Sequence, residues 1–146
     1  MIDVRITTGA FDAGIEIVRL TRAGVGGVAS FVGVVRGDGG LATLTLEHYP
    51  AMTQAALEEL AREAVARWDL AGVTIVHRVG TMVPGDAIVF VGTASAHRGA
   101  ALESCAYLID RLKTDAPFWK RETFEDGRNR WVEARASDDV AADRWV

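Results

Sequence analysis

Lys113 and Lys120 are the residues of this sequence that point most directly to chemistry, because they are its only lysines. The chain has 16 basic residues, so the other fourteen (16 − 2) are arginines. Lysine can lose its proton and act as a nucleophile or a base, whereas arginine stays charged. The two lysines are therefore candidate catalytic residues. The alternative, that they are surface cations left over in an arginine-biased composition, stays open from composition alone.

Three short segments contain residues that could form one site around these lysines. The first ends a strand before a glycine-rich loop, the second joins a strand to a helix, and the third follows a helix and is stiffened by Pro117. Free N–H groups at a helix start attract anions, and a neighbouring arginine strengthens that attraction. Taken singly, each segment also fits a structural role, with a helix-capping histidine and solvated arginines. The candidate residues are Val34, Val35 and Arg36, then His97 and Arg98, then Lys113, Lys120, Arg121 and Glu122.

A cluster of cations around two lysines has a chemical consequence. Each positive charge disfavours another, so a lysine in this setting should lose its proton more readily than an isolated one. A neutral lysine can attack a carbonyl or accept a proton, while a second, charged lysine stabilises developing negative charge. Glu122, two residues after Lys120, could hold that lysine in place. The residues alone predict a lysine-dependent acyl- or group-transfer site for an anionic substrate.

The hydrophobic pattern predicts an α+β fold that would position these segments. Strands outnumber helices and adjacent strands are joined by short links. This favours two main helices packed on a mainly antiparallel sheet, in a single domain covering residues 1–146. Residues 11–22 fit a short helix or a turn, and Asp126-Gly127 is typical of a hairpin turn. The expected strands are 1–10 at a sheet edge, 28–35 in a buried position, 41–49, 73–78, 87–95, 122–124 and 130–134, and the expected main helices are 54–68 and 100–112.

Composition narrows the class of protein. The formal net charge of −4 argues against broad nucleic-acid binding. No stretch approaches the roughly 20 apolar residues that span a bilayer, and residues 1–12 carry early acidic groups, unlike a signal peptide. Cys105 is the only cysteine, so no internal disulfide can form and a reducing compartment is expected. A cytoplasmic location is therefore predicted.

Three groups of residues that resemble functional motifs are better explained by structure. Residues 24–29 nearly match a dinucleotide-binding fingerprint, but that fingerprint precedes a helix and a strand is expected here. The histidines at 48, 77 and 97 are far apart and give no metal-ligand spacing. Cys105 falls on the apolar face of the second helix, which indicates a core thiol.

Six segments, in order and at compatible spacing, resemble the large, catalytic subunit family of molybdopterin synthase. The resemblance covers nearly the whole chain, most firmly residues 31–135. It implies an α/β-hammerhead fold, which suits the α+β prediction. The segments are FVGVVRG, LTLEHYPAMT, ARWDLAGVTIVHRVG, PGDAIVFVGTASAHR, LKTDAPFWKRE and RWVEAR.

The resemblance also implies a specific reaction. Enzymes of this family convert cyclic pyranopterin monophosphate into molybdopterin, in molybdenum cofactor biosynthesis, by installing two dithiolene sulfurs. The sulfur arrives as a thiocarboxylate on the C-terminal Gly-Gly of a small ubiquitin-like carrier subunit. The family assembly is a heterotetramer with a central homodimer of large subunits, and no metal or organic cofactor takes part in the transfer.

The implied roles attach to individual residues of this sequence. Lys113 corresponds to the family lysine nearest the carrier's C-terminus, and Lys120 to a second essential lysine. Arg135 corresponds to an arginine that reaches the pocket of the neighbouring copy. Two other hypotheses stay open, a non-catalytic scaffold that binds a ubiquitin-like tail and a Schiff-base enzyme that uses Lys113. The remaining correspondences are Val34, Val35 and Arg36 at the pterin-binding strand end, His97 and Arg98 at the substrate phosphate, and Arg121 and Glu122 in continuation of the lysine motif.

Overall fold

The computed structural model describes residues 1–132 and 136–145, which contain eight strands and four helices. None of these helices is long and apolar enough to cross a membrane. In chain order the elements are β1 (Ile2–Thr7), α1 (Ala13–Leu20), β2 (Gly27–Val34), a 3₁₀ turn (Asp38–Gly40), β3 (Leu41–His48), α2 (Pro50–Trp68), β4 (Gly72–Arg78), β5 (Gly80–Met82), β6 (Ala87–Ser95), α3 (Arg98–Asp115), β7 (Phe118–Phe124), β8 (Asn129–Val132) and α4 (Ala136–Asp143).

The strands form two four-stranded sheets rather than one. The first has the order β1-β4-β6-β2, in which only β1 and β4 run parallel. The second has the order β5-β3-β7-β8 and is antiparallel throughout. The predicted α+β class with mainly antiparallel pairing is confirmed. The division into two sheets arises because the chain turns after β2 and begins a new ladder with β3.

Helices cover both faces of the first sheet. Successive side chains of a strand point to opposite faces, and β4 shows the consequence. Val73 and Ile75 pack with Leu108 of α3 and with α2, whereas Val76 packs with Leu20 of α1. The second sheet has a smaller core of its own, which includes Leu44 and Leu46 of β3.

Strand β2 forms as predicted but is not buried as predicted. It is the last strand of the first sheet, so among the described residues it has a neighbour on one side only. Phe31, Val32 and Val34 are consequently exposed, Val34 by 52%. Val35, just beyond the strand, is buried in the core of the second sheet. An apolar edge of this kind is a surface that proteins usually cover.

Several element boundaries differ from the prediction. Helix α2 begins at Pro50, four residues early, because proline suits the first helical position. Strand β7 begins at Phe118, directly after Pro117 and four residues before the predicted start at residue 122, so Lys120 is part of a sheet. The hairpin turn at Asp126-Gly127 is confirmed by the pairing of β7 with β8. The three-residue strand β5 and the helix α4 were not predicted.

The glycine-rich segment 24–29 has a packing explanation. A Cβ at Gly26 would lie 2.1 Å from the carbonyl oxygen of Ala96, so no other residue fits this close approach. The segment leads into strand β2, whereas the dinucleotide fingerprint opens a helix. The glycines thus let two backbones approach each other.

Candidate active site

A cavity of about 900 Å³ lies where the first sheet, the second sheet and the C-terminal end of α3 meet. Its walls come from six strands and this helix. Small-molecule sites typically enclose about 300–1,000 Å³. The cavity combines apolar side chains, such as Leu46 and Leu112, with charged ones that include Lys113 and Lys120. It is large enough and polar enough to hold a small charged substrate.

The two lysines reach this cavity from different elements. Lys113 lies in the last turn of α3, where a cation also complements the helix dipole. Lys120 lies in the middle of β7. The chain reverses at Ala116-Pro117, so α3 and β7 converge and both lysines line the cavity.

The alternation of β7 decides which residues of the lysine segment face the cavity. Lys120 and Glu122 are two residues apart, point to the same face and line the cavity. Arg121 points to the other face, where its guanidinium carbon lies 5.8 Å from the centroid of the Trp131 ring. Arg121 does not line the cavity of its own copy. Its predicted role in substrate binding therefore has no support from the geometry of one chain.

Glu122 forms an ion pair across the second sheet. Its carboxylate oxygen lies 3.2 Å from a guanidinium nitrogen of Arg130, which is directly opposite on β8. Both side chains belong to the cavity wall. Glu122 thus neutralises the charge of Arg130 in the cavity wall.

The end of β2 supplies the opposite wall. The pairing of β2 with β6 shifts by one residue at Val34, where Ile88 of β6 is left out of the ladder. Val34, Val35 and Arg36 all line the cavity. The Arg36 guanidinium is largely exposed and lies 2.6 Å from the carboxylate of Asp38. The predicted strand-end group and the two lysines are thus brought together.

His97 and Arg98 lie at the other end of α3. An α-helix rises 1.5 Å per residue, so the fifteen residues from Arg98 to Lys113 span about 22 Å. Neither residue lines the cavity of its own copy. The side chain of His97 makes no capping hydrogen bond, although its backbone N–H donates to Ser95 Oγ at 3.3 Å. Arg135, the last predicted site residue, lies outside the described residues.

His77 is a cavity residue that the spacing of histidines in the sequence does not reveal. It lies on β4, on the same face of the strand as Val73 and Ile75. It is 4% exposed and lines the cavity. Burial, together with the charges of Lys120, Lys113 and His48, lowers its pKa to about 4, against the opposing effect of a hydrogen bond to the backbone at Arg78. The sequence does offer one signal for this residue, because a polar side chain at a core-facing position of a strand indicates a specific role.

Cys105 has the properties expected of a core thiol. It is 5% exposed, and burial raises its pKa to about 11. The thiolate is the reactive form, so this cysteine does not serve as a nucleophile. Among the described residues, no group of three or more histidine, cysteine, aspartate or glutamate side chains could hold a metal ion.

The fold and cavity define a candidate group-transfer enzyme, and comparison with known proteins identifies its family. The sequence profile of the MoaE protein family matches residues 6–115, about three quarters of the chain. The chain belongs to this family.

Individual relatives agree with the family profile. The chain is 50% identical to the molybdopterin synthase catalytic subunit of Pseudomonas aeruginosa, with 97% of each chain covered. It is 50% identical to the solved MoaE protein from Burkholderia ambifaria, with a TM-score of 0.86 and 99% and 98% of the two chains covered. The crystal structure of molybdopterin synthase from Staphylococcus aureus shares 29% identity, with a TM-score of 0.82 and coverage of 88% and 95%.

Proposed function

We propose that this chain is the catalytic subunit of a molybdopterin synthase, a sulfurtransferase of molybdenum cofactor biosynthesis. It transfers sulfur from the thiocarboxylated C-terminus of a small ubiquitin-like carrier to cyclic pyranopterin monophosphate, forming the dithiolene of molybdopterin. The names of its relatives support this reaction. The observation that carries the proposal for this chain is the convergence of Lys113 and Lys120 on one cavity.

The charge of the cavity suits a monophosphate substrate. Five cationic side chains and two carboxylates line it, a difference of three positive charges (5 − 2). An anion is attracted to a site of this sign. In our proposal Lys113 and Lys120 form the catalytic pair, with one neutral lysine and one charged lysine, while Val34, Val35 and Arg36 hold the pterin. The charged lining residues are Arg36, Lys113, Lys120, Arg128 and Arg130, with Asp38 and Glu122 as the carboxylates.

The carrier is the second component of the proposed assembly. The Pseudomonas relative is named a catalytic subunit, a name that describes one part of a larger enzyme. A C-terminal Gly-Gly has no side chains and is narrow enough to enter a cavity of this size. We propose that it approaches Lys113, at the exposed C-terminal end of α3. The transfer itself is proposed to use no metal or organic cofactor.

A homodimer core would complete the site. His97 and Arg98 are too far from Lys113 to bind the same substrate molecule within one chain, so we propose that they act in the cavity of the second copy. Arg135 is proposed to reach the neighbouring pocket as well. With one carrier on each large subunit, the assembly is a heterotetramer.

The exposed edge of β2 offers a route to this arrangement. Two copies related by a two-fold axis can pair identical edge strands, which then run antiparallel. Arg98 lies beside the start of β2, since a Cβ at Gly27 would be 3.4 Å from its Cα. Val34 and the cavity lie at the end of the same strand. Antiparallel pairing would bring the Arg98 end of one copy toward the cavity of the other and would cover Phe31 and Val34.

The proposed location is the cytoplasm, where a carrier thiocarboxylate and the lone thiol of Cys105 both stay reduced.

Reconstitution tests the proposed function. The purified chain alone should be inactive. Adding thiocarboxylated carrier and cyclic pyranopterin monophosphate should yield dithiolene product, detected by mass spectrometry as a pterin that contains two sulfur atoms. A carrier that ends in an ordinary carboxylate is the matched control. Absence of product from the complete mixture would refute the proposal, and tight carrier binding without product would favour a scaffold. A substrate adduct trapped by borohydride would favour a Schiff-base enzyme.

A further inference from the structure

His77 lies in the cavity wall without a role in the reaction proposed above. Its ring stacks on the ring of Phe118, with centroids 3.9 Å apart and an interplanar angle of 20°. His48, the cross-strand neighbour of Phe118, also lies near-parallel to that ring, at 6.2 Å and 28°. His77 lines the cavity and His48 does not. The two histidines thus share one aromatic neighbour but differ in their access to the site.

A single hydrogen bond decides which nitrogen of His77 carries the proton. Nδ1 lies 2.9 Å from the backbone carbonyl oxygen of Arg78. A carbonyl oxygen can only accept, so Nδ1 carries the hydrogen and donates it. In the neutral ring Nε2 then has a free lone pair and is an acceptor. Because Nδ1 is hydrogen-bonded to the backbone of the same strand, Nε2 lies on the edge of the ring that points away from that backbone.

The strand opposite brings Lys120 to this ring. Phe118 and Lys120 are two residues apart on β7, so their side chains project from the same face. The ring of Phe118 lies flat on His77, and the charge of Lys120 is one of those that lower the pKa of His77, from which we infer that the Lys120 side chain lies near the imidazole. Both side chains line the same cavity.

We propose that His77 is a positioning residue for Lys120, in which Nε2 of the neutral imidazole accepts a hydrogen bond from the Lys120 side chain and holds it toward the bound substrate. The inference rests on the proposed function, because it assigns a role within that site. A neutral acceptor favours the charged form of the lysine that donates to it. His77 thereby suits Lys120 to the electrostatic role and leaves proton transfer or attack to Lys113.

His77 itself is unsuited to proton transfer. The groups that face it are Lys120, Lys113 and His48, and their charges add to burial in lowering its pKa to about 4. At pH 7 about one ring in a thousand would be protonated. The ring is therefore a permanent acceptor at working pH and a poor base.

Two substitutions of His77 separate positioning from packing. His77→Gln loses the aromatic ring but keeps a hydrogen-bond acceptor at a similar reach. His77→Phe keeps the stack on Phe118 and has no acceptor. In the reconstituted enzyme, His77→Phe should lower kcat about tenfold or more while the KM for the pterin changes less than about twofold. His77→Gln should recover most of that loss. His48→Phe is the control beside the same ring and should leave kcat unchanged.

A packing role predicts the reverse order, because Phe preserves the buried aromatic contact and Gln does not. Wild-type kcat in His77→Phe, or a kcat in His77→Gln no higher than in His77→Phe, would overturn the inference. So would an equal loss in His48→Phe.

A second measurement does not depend on turnover. The chain has only two lysines, so acylation of each can be followed separately by mass spectrometry. His77→Phe should raise the acylation rate of Lys120 by about threefold or more over His77→Gln, with Lys113 changed less than about twofold. Equal rates for Lys120 in both variants would refute the inference even if the wild-type chain made no product. Absence of product in the wild type would count against the proposed function alone.

Discussion

The two ends of helix α3 carry residues of similar chemistry in different surroundings. At the C-terminal end, Lys113 lines a cavity that contains Lys120, the end of β2 and His77. At the N-terminal end, His97 and Arg98 are exposed and line no part of that cavity. The helix between them is a rigid spacer of about 22 Å. In our proposal, the cavity at one end of α3 is a nearly complete site, and the residues at the other end belong to a site that a second copy completes.

The largest effect is expected at the C-terminal end. Lys113→Arg keeps the positive charge but cannot lose a proton at working pH, so turnover should fall at least about a hundredfold. Lys120→Arg should cost about tenfold, because arginine still supplies the charge that His77 would hold. The measurement is dithiolene product per unit time. Carrier affinity should stay unchanged in both variants, and retained turnover in both would contradict the lysine mechanism.

Substitutions at the N-terminal end of α3 should affect substrate binding, and we expect the effect in the cavity of the other copy. Arg98→Ala removes the charged contact to the phosphate that we propose, so steady-state kinetics should show a KM for the pterin that rises about tenfold with little change in kcat.

Mixing two defective variants tests the sharing of sites. Arg98→Ala and Lys113→Ala chains, co-expressed in equal amounts, form mixed dimers in which one cavity has both residues intact. At low substrate the mixture should reach about a quarter of wild-type activity, against about a twentieth if Arg98 served its own copy. The lower value would show that Arg98 serves the cavity of its own copy.

A smaller effect is expected for Arg121, although it lies next to Lys120 in the sequence. Its side chain points away from the cavity and toward Trp131. Arg121→Ala should therefore change kcat/KM by less than about twofold. Arg98→Ala, measured in the same assay, provides the scale. A loss in Arg121→Ala as large as in Arg98→Ala would show that Arg121 takes part in substrate binding although its side chain points away from the cavity.

The smallest effect is expected in the middle of α3. Burial favours the neutral thiol of Cys105 and raises its pKa to about 11, so at pH 8 only about one thiol in a thousand would be ionised. Iodoacetamide at pH 8 should leave the folded chain unmodified and fully active, and should modify Cys105 once the chain is unfolded in denaturant. Intact-mass analysis checks both states. Rapid modification of the folded chain would show that the thiol reaches solvent.

Local sequence pattern was sufficient for most of the elements. The apolar stripe of α2 and the β-branched runs of β4 and β6 are local signals, and the structure contains all three elements, although α2 begins four residues earlier than predicted. Strand β5 was missed because three residues are too few to show a period. The burial of β2 was predicted wrongly, because an apolar run looks the same in a central strand and in an exposed edge strand.

The candidate site was predictable in part. The rarity of lysine pointed to Lys113 and Lys120, and the structure places both in one cavity. The side chains of Arg121 and Glu122 could not be sorted into faces without knowing that β7 begins at Phe118. His77 could not be linked to Lys120 because 43 residues separate them (120 − 77), and only the packing of Phe118 on the imidazole brings them together.

The sequence by itself determined the α+β class, most of the elements, the family and the two lysines on which the proposed chemistry rests. Residue types and short-range periodicity carry that information, because they depend on side-chain chemistry and on the repeat of each element. The tertiary structure alone decided which side chains share a cavity. It placed His77 beside the lysine strand and His97 and Arg98 a helix length away. Those relations depend on how separate elements pack, and a rigid helix or an alternating strand sets them over distances that sequence spacing does not record.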